Sequence, residues 1–453
     1  MEKKRIPVIA IFDVGKTNKK LFLFNERYQL VFERSARFLE TTDEDGDPCE
    51  NLESLRLSVF DSLHEVFRRD EFDIKAINFA SYGASVVYLD EHGRPLTPLY
   101  NYLKAYPSAL EEQLYAQYDG PAAFALTTAS PRLGSLNLGL QLYRLQQERP
   151  DLFDKVKYAV HLPQYLSFLV SGQLYTDMTS LGCHTALWDF VHKDYHRWVS
   201  DAGMLDKLPP LVSGEQVFSG AFPGATYKVG VGLHDSSSAL IPYLLNFKDP
   251  FILISTGTWC ISLNPFNDTP LTEEELRKDC LFYLTYSGTP VKASRLFAGQ
   301  EHEIQVKRIA DYFEVTTALF RNMRVDWEIV DRLRQQFHFD GATLAAFGER
   351  NLGDFSDATA AYHALMMDLV ASQVAATQLV MGKQHVGRIF VDGGFSKNDI
   401  YMNLLANSFP NIEVYAASMA QATAIGAALV IHAHWNTLDI PHDLIELRYY
   451  RHP

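Results

Sequence analysis

"IPVIAIFDVGKTNKKLFLFN", residues 6–25, is the stretch from which the rest of the chain is read. Two apolar runs flank DVGKTNKK, a turn with one acid, one glycine, a Thr-Asn pair and three lysines. A two-residue hairpin turn calls for Asn-Gly or Asp-Gly between its strands. This turn is longer and carries more chemistry. Strands are expected at 7–13, 19–25 and 28–34. Asp13 then ends an apolar strand, where α/β sheets gather ligands. Gly15 permits tight backbone geometry. Thr17, Asn18 and the turn's N–H groups can take phosphate oxygens, and a lysine can add charge. Asp13 would repel phosphate directly, so its expected job is to hold Mg²⁺ through water. An ordinary surface hairpin is the plain alternative, since no GxxxxGK[ST] pattern is present.

The same outline returns in the second half of the chain. "PFILISTGTWCISLN" (250–264) is an apolar run, a small polar turn and another apolar run. Thr256, Gly257 and Thr258 offer hydroxyls and N–H groups without a carboxylate, which suits direct phosphate contact. "GRIFVDGGFSKNDIYMNLLANSF" (387–409) reads as strand, Gly-Gly turn and helix. Gly393 and Gly394 let a flat ring or ribose approach the backbone, with Ser396 and Asn398 beside them. A Thr-rich hairpin and a bare strand-to-helix turn are the plain readings of these two. Helices are expected at 52–68, where Leu55, Val59, Leu63 and Val66 share one face, at 361–384 and at 417–435, and the stretch 135–153 has helical spacing that ends before Pro150. The segment 105–210 reads as mostly helical, and "KLPPLVSGEQV" (207–217) as a connector. One α/β plan used twice, with a cleft between the copies, fits this order.

"VGVGLHDSSSAL" (229–240) delivers His234 and Asp235 from a Gly-rich strand end into a small-residue helix start. It fails as a GxGxxG fingerprint, because position 235 is Asp. Asp235 can be a helix N-cap with Ser238 three residues on. It can also be a general base, with His234 hydrogen-bonding the substrate, as in phosphoryl transfer to a hydroxyl. Glu301-His302-Glu303 and His432/His434 lack any zinc spacing and read as solvated or core groups.

The 453 residues exceed one ordinary core, so two domains are expected. A hydrophobic share of 47% with 21% charged residues is globular composition. The net charge of −14 argues against nucleic acid as a partner. Cys49, Cys183, Cys260 and Cys280 stand far apart and read as free thiols of a cytoplasmic protein. No segment is expected to approach the roughly 18 apolar residues of a membrane span.

Taken together, these motifs resemble the FGGY family of carbohydrate kinases over nearly the whole chain and in the family's order. The resemblance rests on Asp13, Gly15, Thr17 and Asn18 for the first phosphate motif and on "SYGASVVYLDEHGRPLTPLYNYL" (81–103) for the substrate loop. It continues through "TDMTSLGCHTALWD" (176–189), His234-Asp235, "STGTWCISLN" (255–264), "VDGGFSKN" (391–398) and Ala424-Ile425-Gly426-Ala427-Ala428. It implies two ribonuclease H-like domains of the actin/hexokinase type with a cleft between them. Residues 1–245 would be the sugar-binding domain and 246–453 the nucleotide-binding domain. It implies ATP and Mg²⁺ as cofactors, Asp235 as catalytic base, and Asp13 with Asp235 at the metal. Ser81, Tyr82, Gly83, His234 and Asp235 would meet the sugar. Gly15, Thr17, Asn18, Thr256, Gly257, Thr258, Gly393, Gly394, Ser396 and Asn398 would meet the nucleotide and its phosphates.

"SYGASVVYLDEHG", "GLHDSSSA" and "STGTW" are most similar to rhamnulokinases and fuculokinases, which act on 6-deoxy-ketohexoses. Tyr82, Tyr88, Tyr100 and Tyr102 crowd the substrate segment, where aromatic faces suit a methyl group. There are departures. Lys16 stands where the common pattern has Thr, Gln421 replaces a frequent acid, and Ala80 and Ser85 stand where rhamnulokinase-like loops have acids. The expected function is phosphorylation of a ketose such as L-rhamnulose or L-fuculose. The alternatives are a pentulose or polyol kinase, or a sugar- and nucleotide-sensing protein without turnover. The expected partners are a small sugar and ATP, with no nucleic acid and no membrane; a homodimer is a candidate assembly.

Overall fold

The computed structural model describes residues 5–16, 18–36, 40–221 and 226–451. The chain divides into two compact units. One comprises Met1–Asn246, Phe282–Pro290 and Gln421–Leu444; the other comprises Phe247–Leu281, Val291–Ala420 and Ile445–Pro453.

The first unit is built on a seven-stranded sheet. Its strands are β1 (Ile6–Val14), β2 (Lys19–Asn25), β3 (Leu30–Ala36), β4 (Phe72–Ser81), β5 (Val217–Ser219), β6 (Lys228–Gly230) and β7 (Leu233–His234). They run in the order β5-β6-β4-β1-β2-β3, with β7 also pairing with β4. β1 and β4 are parallel, while β1, β2 and β3 form an antiparallel meander. β1 is apolar on both faces because both are covered. Val8, Ala10, Phe12 and Val14 pack with Leu55, Val59, Leu63 and Val66 of α1 (Leu52–Phe67) and with Leu162, Tyr165, Leu166 and Val170 of α2 (Leu162–Ser171). Asn51 caps α1, its side chain accepting from the Ser54 N–H. From the end of β7 the chain enters α3 (Asp235–Asn246).

A second seven-stranded sheet is formed mostly by residues of the second unit. It is made of β8 (Phe251–Thr256), β9 (Cys260–Asn264), β10 (Cys280–Leu284), β11 (Pro290–Leu296), β12 (Arg388–Gly393), β13 (Glu413–Ser418) and β14 (Glu446–Tyr450), in the order β10-β11-β9-β8-β12-β13-β14. Its helices include α4 (Ala298–Tyr312), α5 (Ala358–Met381) and α6 (Asp399–Ser408). α5 corrects one expectation from the sequence: it is long and apolar enough to cross a membrane, with a mean hydropathy of 1.4 over its best window. It is a core helix of this unit, 67% of that window being buried within the protein. Its backbone carbonyls at Ala376 and Val380 accept from Ser294 Oγ and Asn264 Nδ2 of the sheet.

The closing helix is shorter than the pattern 417–435 suggests. β13 runs to Ser418, Gln421 takes a left-handed conformation (φ 57°), and α7 spans only Ala422–Leu429. α7 packs on α3 within the first unit. Gly426 makes that approach possible, because a Cβ there would lie 1.9 Å from the Ser238 carbonyl oxygen. Ser238 Oγ donates to the Thr423 carbonyl at 2.8 Å, and Asn78 Nδ2 of β4 donates to the Ala427 carbonyl at 2.8 Å. The small residues of "ATAIGAAL" are therefore a packing surface for the helix that begins at Asp235. Gly426→Ala should destabilise the protein by about 1–3 kcal/mol, the range for overpacking, read as a lowered urea midpoint. An unchanged midpoint would contradict this packing account.

Candidate active site

Parallel register brings the first unit's acids together. Asp13 of β1 and Leu233 of β7 both pair with Ala80 of β4, and His234 pairs with Ser81. Asp13, Ser81, His234 and Asp235 thus gather at the C-terminal ends of neighbouring strands, the ligand side of such sheets. Gly15 closes the polar turn, its N–H donating to the Asn18 carbonyl at 2.9 Å. Thr17 lies outside the described residues. Asp13, Gly15, Asn18, Lys20, Phe22 and Gln421 line a cavity of about 450 Å³.

Asp13 makes no hydrogen bond or ion pair among the described residues. Burial pushes its carboxyl up to about 6, the negative charge of Asp235 adds to that, and Lys20 acts in the opposite direction. Asp235 Oδ1 accepts from the Ser236 N–H at 2.6 Å and its Oγ at 3.3 Å. The alternative reading of Asp235 as an N-cap bonded to Ser238 is not what forms, because Asp235 is itself the first residue of α3. Two carboxylates with unused oxygens in one another's field make a hard-oxygen donor set that fits Mg²⁺.

His234 is held from behind by a buried relay. Its backbone N–H donates to Thr179 Oγ1 at 2.8 Å, and that hydroxyl donates to Asp177 Oδ2 at 2.6 Å. Asp177 also accepts from the Thr179 and Ser180 N–H groups and from Gln164 Nε2. His234 Nε2 stands 3.2 Å from Asp235 Oδ1 and 3.2 Å from Cys183 Sγ. Burial lowers the His234 pKa, with Asp235 and Asp177 opposing, so a neutral imidazole is favoured. Gly83 is a close fit: a Cβ there would sit 2.8 Å from Cys183 Sγ and 3.1 Å from the His234 ring.

The segment expected to be the substrate loop, 81–103, divides by contact. Ser81 and Tyr82 are buried, and Tyr82 OH donates to Glu50 Oε1 at 2.7 Å. Glu50 was not singled out from the sequence. It is 4% exposed and also pairs with Lys16 (3.4 Å) and Lys19 (3.3 Å). Tyr88 corrects the aromatic reading: it is fully buried in a core cluster with Leu140, Leu142 and Trp198. The Tyr100 hydroxyl donates to Glu44 at 2.6 Å. Tyr102 stacks at a tilt on Tyr82, with centroids 5.9 Å apart, and lies in the field of Asp235 and Glu50.

In the second unit, the turns after β8 and β12 meet. Thr256 pairs with Gly393, Thr256 Oγ1 donates to the Asp392 carbonyl, and the same oxygen accepts from the Phe395 N–H at 3.0 Å. Gly393 (φ 94°) admits no side chain, since a Cβ would lie 1.9 Å from the Thr256 carbonyl oxygen. Gly257, Thr258, Gly393 and Gly394 are exposed. Gly299 and Gln300, in the first turn of α4, donate their N–H groups to the Thr258 carbonyl. Ser396 is buried, its Oγ donating to the Gly393 carbonyl at 2.8 Å. Asn398 caps α6 through the Tyr401 N–H and donates to Tyr362 OH. These last two side chains hold the turn. Among the described residues no cluster of three metal-ligating side chains occurs. His302 packs on Tyr362 and Phe395, and burial lowers its pKa to about 4.

Residues 8–241 match the N-terminal domain of the FGGY family of carbohydrate kinases, and residues 248–439 match the C-terminal domain of carbohydrate kinase FGGY. The chain belongs to this family and is a carbohydrate kinase of the two-domain FGGY fold. It is 22% identical to a gluconokinase of Bacillus licheniformis over 92% of this chain and 86% of that one. It is 23% identical to a rhamnulokinase of Mannheimia succiniciproducens over 59% of this chain and 55% of that one. A solved carbohydrate kinase from Novosphingobium aromaticivorans has the same fold, with a TM-score of 0.79 at 24% identity over 99% of this chain and 95% of that one. A ligand-bound xylulose kinase from Lactobacillus acidophilus gives 0.75 at 15% identity over 98% and 93%.

The Asp13 environment has a measurable consequence. Its folded pKa of about 6 lies above the ordinary 3.8, so ionising it weakens the fold as pH rises from about 4 to 6. In metal-free protein, Asp13→Asn should be more stable than wild type at pH 7.5 by about 1–3 kcal/mol, the penalty being partly screened by solvent. The difference should vanish by about pH 4. Denaturant melts at the two pH values check this, and a difference independent of pH would contradict the burial account.

Proposed function

We propose that the protein transfers the γ-phosphoryl group of ATP to O1 of a 6-deoxy-ketohexose such as L-rhamnulose or L-fuculose. The observation that carries the reaction is the pairing of Asp13 with Asp235, whose Oδ2 has no partner among the described residues. Asp235 takes the proton from the sugar hydroxyl as the oxygen attacks phosphorus and ADP leaves. His234, fixed by Thr179 and Asp177, orients Asp235 and can meet a sugar hydroxyl as a neutral group. Ser81, Tyr82 and Gly83 form the sugar wall, and Tyr102 adds an aromatic face for the methyl group. Asp13, with Asp235, would hold Mg²⁺, which neutralises phosphate charge when bound. The 1–245 part is the sugar-binding domain in this reading. The 246–453 part binds ATP, through Thr256, Gly257, Thr258, Gly393 and Gly394, with Ser396 and Asn398 fixing the turn. Gly15 and Asn18 face the phosphates, and Thr17 is assigned to them from its place in the sequence motif alone. The four cysteines are free and buried, which suits a cytoplasmic enzyme.

The rhamnulokinase relatives support the deoxyhexulose, and the gluconokinase similarity across 92% of the chain supports a second reading, a six-carbon sugar acid. A coupled ADP-release assay should compare L-rhamnulose, L-fuculose, D-xylulose, L-ribulose, glycerol and D-gluconate. The expected result is the highest kcat/KM for a deoxyhexulose, with weaker turnover of related ketoses because one methyl group discriminates by only about 1–3 kcal/mol. A hundredfold preference for a pentulose or gluconate would overturn the sugar assignment. Asp235→Asn should cut kcat by about 10²–10⁴-fold with nucleotide binding retained. Near-normal turnover in that variant would remove Asp235 as the base.

A further inference from the structure

The polar turn holds three lysines, and their surroundings differ. Lys20 is tied to Glu33 at 2.6 Å. Lys19 is 9% exposed at its side chain, lies 3.3 Å from Glu50 Oε2 and donates to the Lys16 carbonyl at 3.4 Å. Lys16 is 33% exposed at its side chain and reaches Glu50 Oε1 only at a long 3.4 Å. That oxygen's short bond, 2.7 Å, goes to Tyr82 OH. The Lys16 ammonium sits 5.5 Å from the Tyr102 ring centre and 5.7 Å from that of Tyr82. One buried carboxylate therefore serves two lysines and a tyrosine, and of the two lysines Lys16 is the one open to solvent, its hydrogen bond to Glu50 being long and shared with Tyr82.

Glu50 is also tied to the substrate segment through its backbone. Its N–H donates to the Leu99 carbonyl and its carbonyl accepts from the Leu99 N–H, both at 3.2 Å. The polar turn, the sugar loop at Tyr82 and the segment running to Tyr102 all meet at this one residue. Removing a structural ion-pair partner from a buried acid would leave an unpaired charge. Here Lys19 stays beside Glu50 when Lys16 leaves, so Lys16 can move without that cost.

Accepting the phosphoryl-transfer reading above, we propose that Lys16 is the turn's lysine that grips the transferred phosphoryl group, and that Glu50 is the positioning residue that parks it between Tyr82 and Tyr102. Lys16 exchanges a long, shared contact for charge-assisted bonds to phosphate oxygens, which are stronger. The sugar loop and the phosphate turn then respond together through Glu50.

Isothermal titration of the full chain with the Mg²⁺ complexes of the β,γ-imido analogue of ATP and of ADP, without sugar, tests this. Lys16→Met should weaken analogue binding about tenfold, the loss of one charge-assisted bond at a partly exposed site, and leave ADP within twofold. Lys16→Arg should restore most of the loss. Glu50→Gln keeps an acceptor for Tyr82 and removes the charge; it should weaken the analogue selectively, and the double variant should be no worse than Lys16→Met alone. Equal losses for analogue and ADP, no loss in Lys16→Met, or additive losses in the double variant would each overturn the proposal. Should Glu50→Gln not fold, by its melting curve, Lys16→Met and Lys16→Arg alone decide. Because no sugar is present, a wrong sugar leaves this result untouched, whereas a wild-type protein that binds neither nucleotide overturns both readings.

Discussion

The structure turns on two carboxylates that the fold forces into one another's field. Asp13 near the end of β1 and Asp235 directly after β7 follow two strands that flank β4, at the same end of a parallel array. Neither has moved onto a neutralising partner: Lys20, opposite Asp13 in the β1–β2 register, is committed to Glu33. A protein selected only for stability would relieve such a pair with a cation of its own or with apolar side chains. In the proposed function, leaving it uncompensated is what lets the site take an external cation and the phosphates that travel with it.

Much of the surrounding architecture serves to keep that arrangement rigid. Asn78, fully buried, uses its side chain to hold the Gly232 N–H and the Ala427 carbonyl, so β7 and α7 share one anchor on β4. Gly426 lets α7 lie against the start of α3, and Thr179 with Asp177 fixes the backbone at His234. Sites held within about 0.5 Å by such supporting shells are the ones that act efficiently. Glu50 extends the same logic to the loop at Tyr82.

What could be read from the sequence was local. Asp13 and Gly15 in one turn, and His234-Asp235 at a strand end, are adjacent in the chain, so residue type and spacing expose them. The strands at 6–14, 19–25 and 251–264 were legible for the same reason, since apolar runs around polar turns need no distant information. Glu50 was not legible, because its partners lie 34 and 32 residues away and meet it only through tertiary packing. Asn398 and Ser396 look like ligand groups in the string VDGGFSKN, yet the structure spends both on the turn itself. Tyr88 sits in an aromatic-rich segment, but strand alternation turns it into the core. The closing helix looked long because small and apolar residues dominate 417–435, and only the left-handed Gln421 marks where it starts.

The most direct measurement is the titration of the Asp13 carboxyl in metal-free protein, by carbon NMR of labelled aspartate assigned with Asp13→Asn. A value of about 6 is expected, falling when Asp235 is replaced by Asn and falling again when Mg²⁺ is added to wild type. An Asp13 that titrates near 3.8 in both proteins, and does not respond to Mg²⁺, would contradict the account of two opposed carboxylates awaiting a cation.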